Sequence, residues 1–167
     1  MKKPLITISI ISHGDASKVK ALLHSLFVHE SVAEYQCIIT DNLGNENFSS
    51  DIFSAVTVFH NQTPKGFAEN HNVAFSQTNG EYFCILNPDI VFLQPVFDAL
   101  VRRIQEGKAD ILAPLIVDAG GVVQDSFRSL PTPRELIIRR LQKKTTLPMP
   151  SAPLSPDWLA GMFLFMR

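Results

Sequence analysis

The 167-residue chain predicts a three-layer α/β/α sandwich around a mostly parallel central sheet. Short β-branched runs alternate with stretches whose apolar residues recur at helical spacing, the pattern of successive βα units. Hydrophobic residues make up 46% of the chain and charged residues 19%, enough apolar surface for a folded core and too much for disorder. The length suits one domain over residues 1–167 and is short for two.

Leu5 to Ser12 reads as the first strand, closed by the turn His13-Gly14-Asp15. Val19, Leu22, Leu23, Leu26 and Phe27 then place a helix over 16–29. Tyr35 to Thr40 and Val56 to His60 are strands stopping at Asp41-Asn42 and at Asn61. A helix follows over 66–78, then a buried strand, Glu81 to Leu86, broken at Asn87-Pro88-Asp89. Val96, Phe97, Leu100, Val101 and Ile104 give the clearest amphipathic helix. Ile111 to Val117 reads as a strand that Val122 to Arg128 rejoins across the Gly120-Gly121 turn. Four prolines between 147 and 156 forbid regular structure there, and Trp158 to Met166 reads as one central strand.

Fifteen Lys and Arg against sixteen Asp and Glu leave a formal net charge of −1. That balance offers no bulk attraction for nucleic acid or an anionic membrane. The one dense basic run, Arg139-Arg140 with Lys143-Lys144, reads as a solvated helix end. Cys37 and Cys84 read as buried thiols on neighbouring strands, suited to a reducing compartment rather than to a disulfide framework. The apolar N-terminal stretch is interrupted by Pro4, Thr7, Ser9 and Ser12 and is too short to span a bilayer, so a cytoplasmic chain is expected.

Polar residues fall at the carboxyl ends of four strands: Ser12-His13, Asp41-Asn42, Asn61 and Asn87-Pro88-Asp89. In a parallel sheet that edge is where ligands gather. Neither G-x-G-x-x-G nor a Walker-type loop is present, which argues against a dinucleotide enzyme or a P-loop ATPase. The histidines lack zinc-ligand spacing, and no G-x-S-x-G elbow occurs. What remains is Asp89, aimed by a proline at the end of a buried strand. One carboxylate beside an amide suits Mg²⁺ or Mn²⁺ when a bound diphosphate supplies the other oxygens.

The stretch from Asn61 through Gly66-Phe67-Ala68 and Asn72 to Asn87-Pro88-Asp89 resembles the core of family 2 inverting glycosyltransferases, specifically the rhamnosyltransferase-like branch. The resemblance implies the nucleotide-diphospho-sugar transferase (GT-A-like) fold and transfer, with inversion, from a nucleotide-diphospho-sugar such as deoxythymidine-diphospho-rhamnose. The implied acceptor is a cell-envelope glycan or lipid-linked oligosaccharide, reached at the inner face of a membrane with at most peripheral association. Ser12 and His13 would line the nucleotide pocket and Asp41 would bind the base or ribose. Asn61, Gly66, Asn72 and Asn87 would complete the donor site. Asp89 would hold a divalent cation, and Asp157 and Trp158 would face the acceptor.

Three departures stand out. Asn87 replaces the first carboxylate of the D-x-D pattern, and His13 replaces the more usual Tyr or Asn. The acidic base that takes the acceptor's proton is expected beyond Arg167, so the chain is expected to be truncated and inactive alone. Residues 1–118 would then form the donor-binding portion and 119–167 a partial acceptor-side portion. The alternatives are a non-catalytic nucleotide-sugar-binding domain and a sugar-1-phosphate nucleotidyltransferase, though SHGDAS lacks the glycine- and lysine-rich grip of the latter. The phenylalanines at 53, 59, 67, 75, 83 and 92 read as core. Phe163 to Met166 is expected to lie exposed and to drive self-association.

Overall fold

The computed structural model describes residues 5–30, 35–48, 56–107, 109–130 and 149–167. The basic run at 139–144, Phe53 and the first two residues of the 147–156 loop lie outside them. The elements, in chain order, are β1 (Ile6–Ser12), α1 (Ala16–His29), β2 (Tyr35–Asp41), β3 (Val56–His60), α2 (Phe67–Ser76), β4 (Tyr82–Leu86), α3 (Phe97–Gln105), β5 (Ile111–Leu112), β6 (Phe127–Arg128), β7 (Trp158–Leu159) and β8 (Phe163–Met166).

Six strands form one sheet in the order β3-β2-β1-β4-β8-β5, and β6 and β7 form a separate ribbon. The β3-β2-β1-β4 set is parallel, whereas β8 runs antiparallel to both β4 and β5. Alternation along the strands sorts side chains between two layers. Ile6, Ile8, Ile10, Tyr35, Cys37, Ile39, Tyr82, Cys84, Leu86, Phe163 and Phe165 pack with Val19, Leu22, Leu23 and Leu26 of α1 and with Phe97 and Ile104 of α3. The opposite face is smaller: Ile38 and Phe83 meet Ala74 of α2.

Two polar side chains hold α1 to the segment after β4. Glu30, buried at the end of α1, accepts the Val96 and Phe97 N–H groups (2.6 and 3.1 Å) through Oε1. It thus satisfies otherwise orphaned donors at the start of α3. Ser25 Oγ accepts the Phe92 N–H at 3.0 Å. These bonds restrain residues 92–97, immediately downstream of the Asn87-Pro88-Asp89 turn.

Several expectations need correction. The strand predicted over 111–117 pairs only at Ile111–Leu112, since Pro114 has no N–H to offer a ladder. Val117 instead makes a lone bridge to Val123, closing a turn in which Gly121 adopts φ +77°. The returning segment finds its partner elsewhere, as Phe127 and Arg128 pair with Leu159 and Trp158. The single strand predicted over 158–166 is split at 160–162 into β7 and β8. Phe163 and Phe165 are buried, packed on Phe92 and Phe97, so they offer no sticky surface. Phe67 and Phe75, expected in the core, are 50% and 58% exposed.

Cys37 and Cys84 are free and buried, but their strands are not adjacent. Each pairs with Ile8 from opposite sides of β1. Burial pushes the Cys37 thiol up to about 12 and Cys84 well above its ordinary value, which makes both inert as nucleophiles. No helix among the described residues is long and apolar enough to cross a membrane.

Candidate functional site

The carboxyl edge of the parallel strands carries two polar networks, one toward each layer. Register pairs Ser12 with Asp41 and Asp41 with His60, so all three side chains share the α1 face. The residues that follow them, His13, Asn42 and Asn61, fall to the α2 side.

On the α1 side Asp41 is fully buried. Its Oδ1 accepts the N–H groups of Leu43 and Gly44 (3.1 and 2.8 Å), and its Oδ2 accepts those of Glu46 and His60 Nδ1 (both 2.8 Å). Burial opposes the charge, but the His60 bond and the three backbone amides outweigh it and hold the carboxyl below its usual range. Ser12 Oγ donates to Glu46 Oε2 at 2.8 Å, and Glu46 Oε1 accepts the Gly14 N–H at 3.0 Å. Asp41 and Ser12 therefore brace the loops after β2 and β1 with their polar atoms already engaged. The loop passes close to β3 at Gly44, which sits at φ +73° with the place of a Cβ only 2.2 Å from the Asn61 carbonyl oxygen.

On the α2 side Asn42 is the hub. Its Oδ1 accepts from Lys65 N–H (2.8 Å), Asn61 Nδ2 (2.9 Å) and Asn70 Nδ2 (3.0 Å). Its Nδ2 meets the Lys65 carbonyl at 3.1 Å and His13 Nδ1 at 3.0 Å. Asn61 Nδ2 also donates to Asn70 Oδ1 at 2.8 Å. These amides pin the loop leading into α2 against the ends of β1 and β2. Gly66 precedes α2 with open space where a Cβ would stand, leaving room for a ligand at the helix N-terminus. Deeper on the same face, buried His71 meets Ser9 Oγ through Nδ1 at 2.8 Å.

The remaining predicted positions are more dispersed. Asn72 is exposed on α2, and its neighbour Asn70 holds the buried place. Asn87 is half-buried, its N–H donating to the Met162 carbonyl at 2.9 Å and its own carbonyl accepting from Ile90. Asp89 is exposed. The Asp15 carboxylate, 2.6 Å away, holds the Lys18 pKa above its ordinary value, chiefly through their hydrogen bond, with a smaller contribution from the charge of Asp89. Asp157 accepts the Leu130 N–H at 2.9 Å. Trp158 is 46% exposed, with the Arg128 guanidinium 5.5 Å above its ring and Arg128 itself forked onto Asp125. The β7–β8 connection reaches the donor side at Gly161, where a Cβ would lie 3.1 Å from the Phe67 ring.

Glu46, His60, Lys65 and Asn70 carry bonds that the sequence reading did not assign. Asn70 was within reach, because it shares the inward helical face of His71 and Ala74. Glu46 lies in an irregular loop whose pattern offers no such signal.

No three His, Cys, Asp or Glu side chains among the described residues converge as metal ligands. Asp89 would fit a hard divalent cation whose other oxygens come from a substrate diphosphate and water, since its carboxylate is exposed just past the carboxyl end of β4.

A mostly parallel sheet with helices on both faces and an antiparallel strand beside β4 fits the GT-A fold. The chain belongs to glycosyl transferase family 2, whose pattern matches residues 7–159. It is similar to a protein of Haemophilus influenzae described as an uncharacterized glycosyltransferase, 26% identical over 104 residues that cover 61% of this chain and 35% of that one. Among solved structures it resembles S. aureus TarS 1-349 in complex with UDP at TM-score 0.60 and 18% identity, covering 75% of this chain and 40% of TarS 1-349. A further structure of TarS 1-349 matches 97% of this chain and 47% of its own at TM-score 0.58 and 17% identity. The chain thus spans about a third of the curated relative and under half of TarS 1-349.

Proposed function

We propose that this chain carries the donor side of a glycosyltransferase, which moves a sugar with inversion from a nucleoside-diphosphate sugar to a cell-envelope glycan or lipid-linked acceptor at the inner face of a membrane. The observation that carries the reading is the placement of the His13, Asn42, Asn61 and Asn70 network and the open N-terminus of α2 along the same carboxyl edge of the sheet whose β4 end bears Asp89. Family membership supports the reaction class. TarS structures hold UDP and UDP-GlcNAc, and a nucleoside diphosphate is the corresponding ligand proposed for this edge. The rhamnosyltransferase-like pattern at 61–90 favours a deoxythymidine-diphospho-rhamnose donor.

In this reading His13, Asn61, Gly66, Asn72 and Asn87 surround the nucleotide, with Ser12 and Asp41 shaping the loops beneath it. Asp89 holds a Mg²⁺ or Mn²⁺ ion, which when bound supplies positive charge to the departing diphosphate. Residues 1–118 form the donor portion. Asp157 and the half-exposed Trp158 stand on the acceptor side, where an indole face offers a sugar ring a stacking surface.

Calorimetric titration with UDP and with dTDP, with and without Mn²⁺ or Mg²⁺, tests the reading. Binding that requires the cation and disappears in Asp89→Ala is expected. If neither nucleotide binds at millimolar concentration, the donor assignment fails.

A further inference from the structure

Backbone groups hold the Asn42 amide in one orientation. The Lys65 N–H can only donate, so the Asn42 atom 2.8 Å from it is the oxygen. The Lys65 carbonyl can only accept, so the atom 3.1 Å from it is the nitrogen. The Nδ2 donors of Asn61 and Asn70 reinforce the first assignment. That nitrogen is also 3.0 Å from His13 Nδ1. An amide NH₂ has no lone pair to offer a hydrogen bond, so His13 Nδ1 must be the bare, accepting nitrogen. The neutral ring then carries its proton on Nε2. Asn42 is buried and His13 exposed, so an interior amide fixes what a surface imidazole presents.

We propose that His13 binds the donor nucleotide as a hydrogen-bond donor from Nε2–H to one of its oxygens, with Asn42 as the positioning residue that imposes this tautomer. The ligand group is an acceptor oxygen, either a carbonyl or hydroxyl of the nucleoside or an oxygen of its phosphates. The inference rests on the donor reading above and adds to it the direction of one hydrogen bond and the residue that sets it.

Long-range ¹H–¹⁵N spectra of the intact chain distinguish bare from protonated ring nitrogens. The expected pattern for His13 is bare Nδ1 and protonated Nε2, reversed in Asn42→Asp because a carboxylate accepts where the amide donated. Calorimetry with UDP and with uridine reads the second half. His13→Ala is expected to weaken UDP binding roughly fivefold to tenfold, and His13→Gln, which keeps an N–H donor, to recover most of the loss. A loss shared by uridine assigns the acceptor to the nucleoside, and one confined to UDP assigns it to phosphate. A protonated Nδ1 in the wild-type chain overturns the inference, as does His13→Ala binding UDP as tightly as wild type; either leaves the donor reading standing. If the wild-type chain binds neither UDP nor dTDP, the donor reading falls and the ligand half of this inference with it. The wild-type spectrum still decides the Asn42 half, even where Asn42→Asp does not fold.

Discussion

His71 makes the fold sensitive to mild acid, and the size of the effect follows from its surroundings. The ring is 3% exposed, takes one bond from or to Ser9, and packs edge-on against Phe67 with ring centroids 4.4 Å apart. Its Nε2 is buried without a hydrogen-bond partner. Burial pushes its pKa from 6.5 down to about 4, so the native state keeps the ring neutral where an unfolded chain would protonate it. Above the unfolded value both states are neutral and pH has no effect through this residue. As pH falls below 6.5 the unfolded state binds a proton that the native state refuses, and stability declines until the native pKa near 4 is reached. The full gap corresponds to about 3 kcal/mol, of which about 2 kcal/mol is lost by about pH 5. Urea unfolding of the wild type and of His71→Gln at about pH 7.5 and about pH 5 isolates that share. The wild type should lose about 2 kcal/mol more than the variant between the two conditions. Equal losses in both proteins would show that His71 is not held neutral and refute the reasoning.

Three further outcomes are expected. Gly44→Ala must adopt a left-handed backbone and meet the Asn61 carbonyl, whose oxygen lies 2.2 Å from the new methyl. A loss of about 2 kcal/mol or more is expected in thermal or urea unfolding, together with weaker nucleotide binding as the 43–48 loop parts from β3. Glu30→Ala removes the acceptor for the first amides of α3 and should cost about 1–2 kcal/mol, with amide exchange at Val96 and Phe97 rising first. Asp41 has a depressed native pKa, so its stabilisation is present above the ordinary carboxylate range and fades as pH falls through its lower native value. Asp41→Asn should flatten that acid limb in unfolding titrations while losing about 1–3 kcal/mol at neutral pH.

The parallel half of the fold was legible because β1, β2 and β4 bury both faces. ITISIIS, YQCIITD and YFCIL announce themselves as apolar runs, and their polar ends then fall on one edge by topology alone. The second half was harder. At Ile111 to Val117 a proline cuts the ladder, and Trp158 to Met166 looks continuous although the chain leaves one ribbon at Leu159 and enters the main sheet at Phe163. Pairing across so many residues depends on partners that local pattern does not name. The strand ends read from the sequence put His13, Asn61 and Asn87-Pro88-Asp89 just past β1, β3 and β4, where the structure also has them. The same reading assigned Asp41 to a ligand, whereas four internal donors already occupy that carboxylate. The amide hub at Asn42 emerged only in three dimensions, because it joins the segments after β1, β2 and β3 to Asn70 on α2.

The place of β8 also sets a timetable for synthesis. The quartet β3-β2-β1-β4 can assemble once residue 86 has left the ribosome, yet one edge of β4 is closed only by residues 163–166. β5, made earlier, pairs with β8 alone among the described strands. At translation speeds of about 5–20 residues per second, the nascent sheet carries an open edge along YFCIL for roughly four to fifteen seconds. During that interval β4, from Tyr82 to Leu86, is paired to β1 on one side only, and its open edge is the kind of surface that recruits holdase chaperones or a neighbouring chain. Expression at lower temperature, where hydrophobic association weakens, should therefore raise soluble yield.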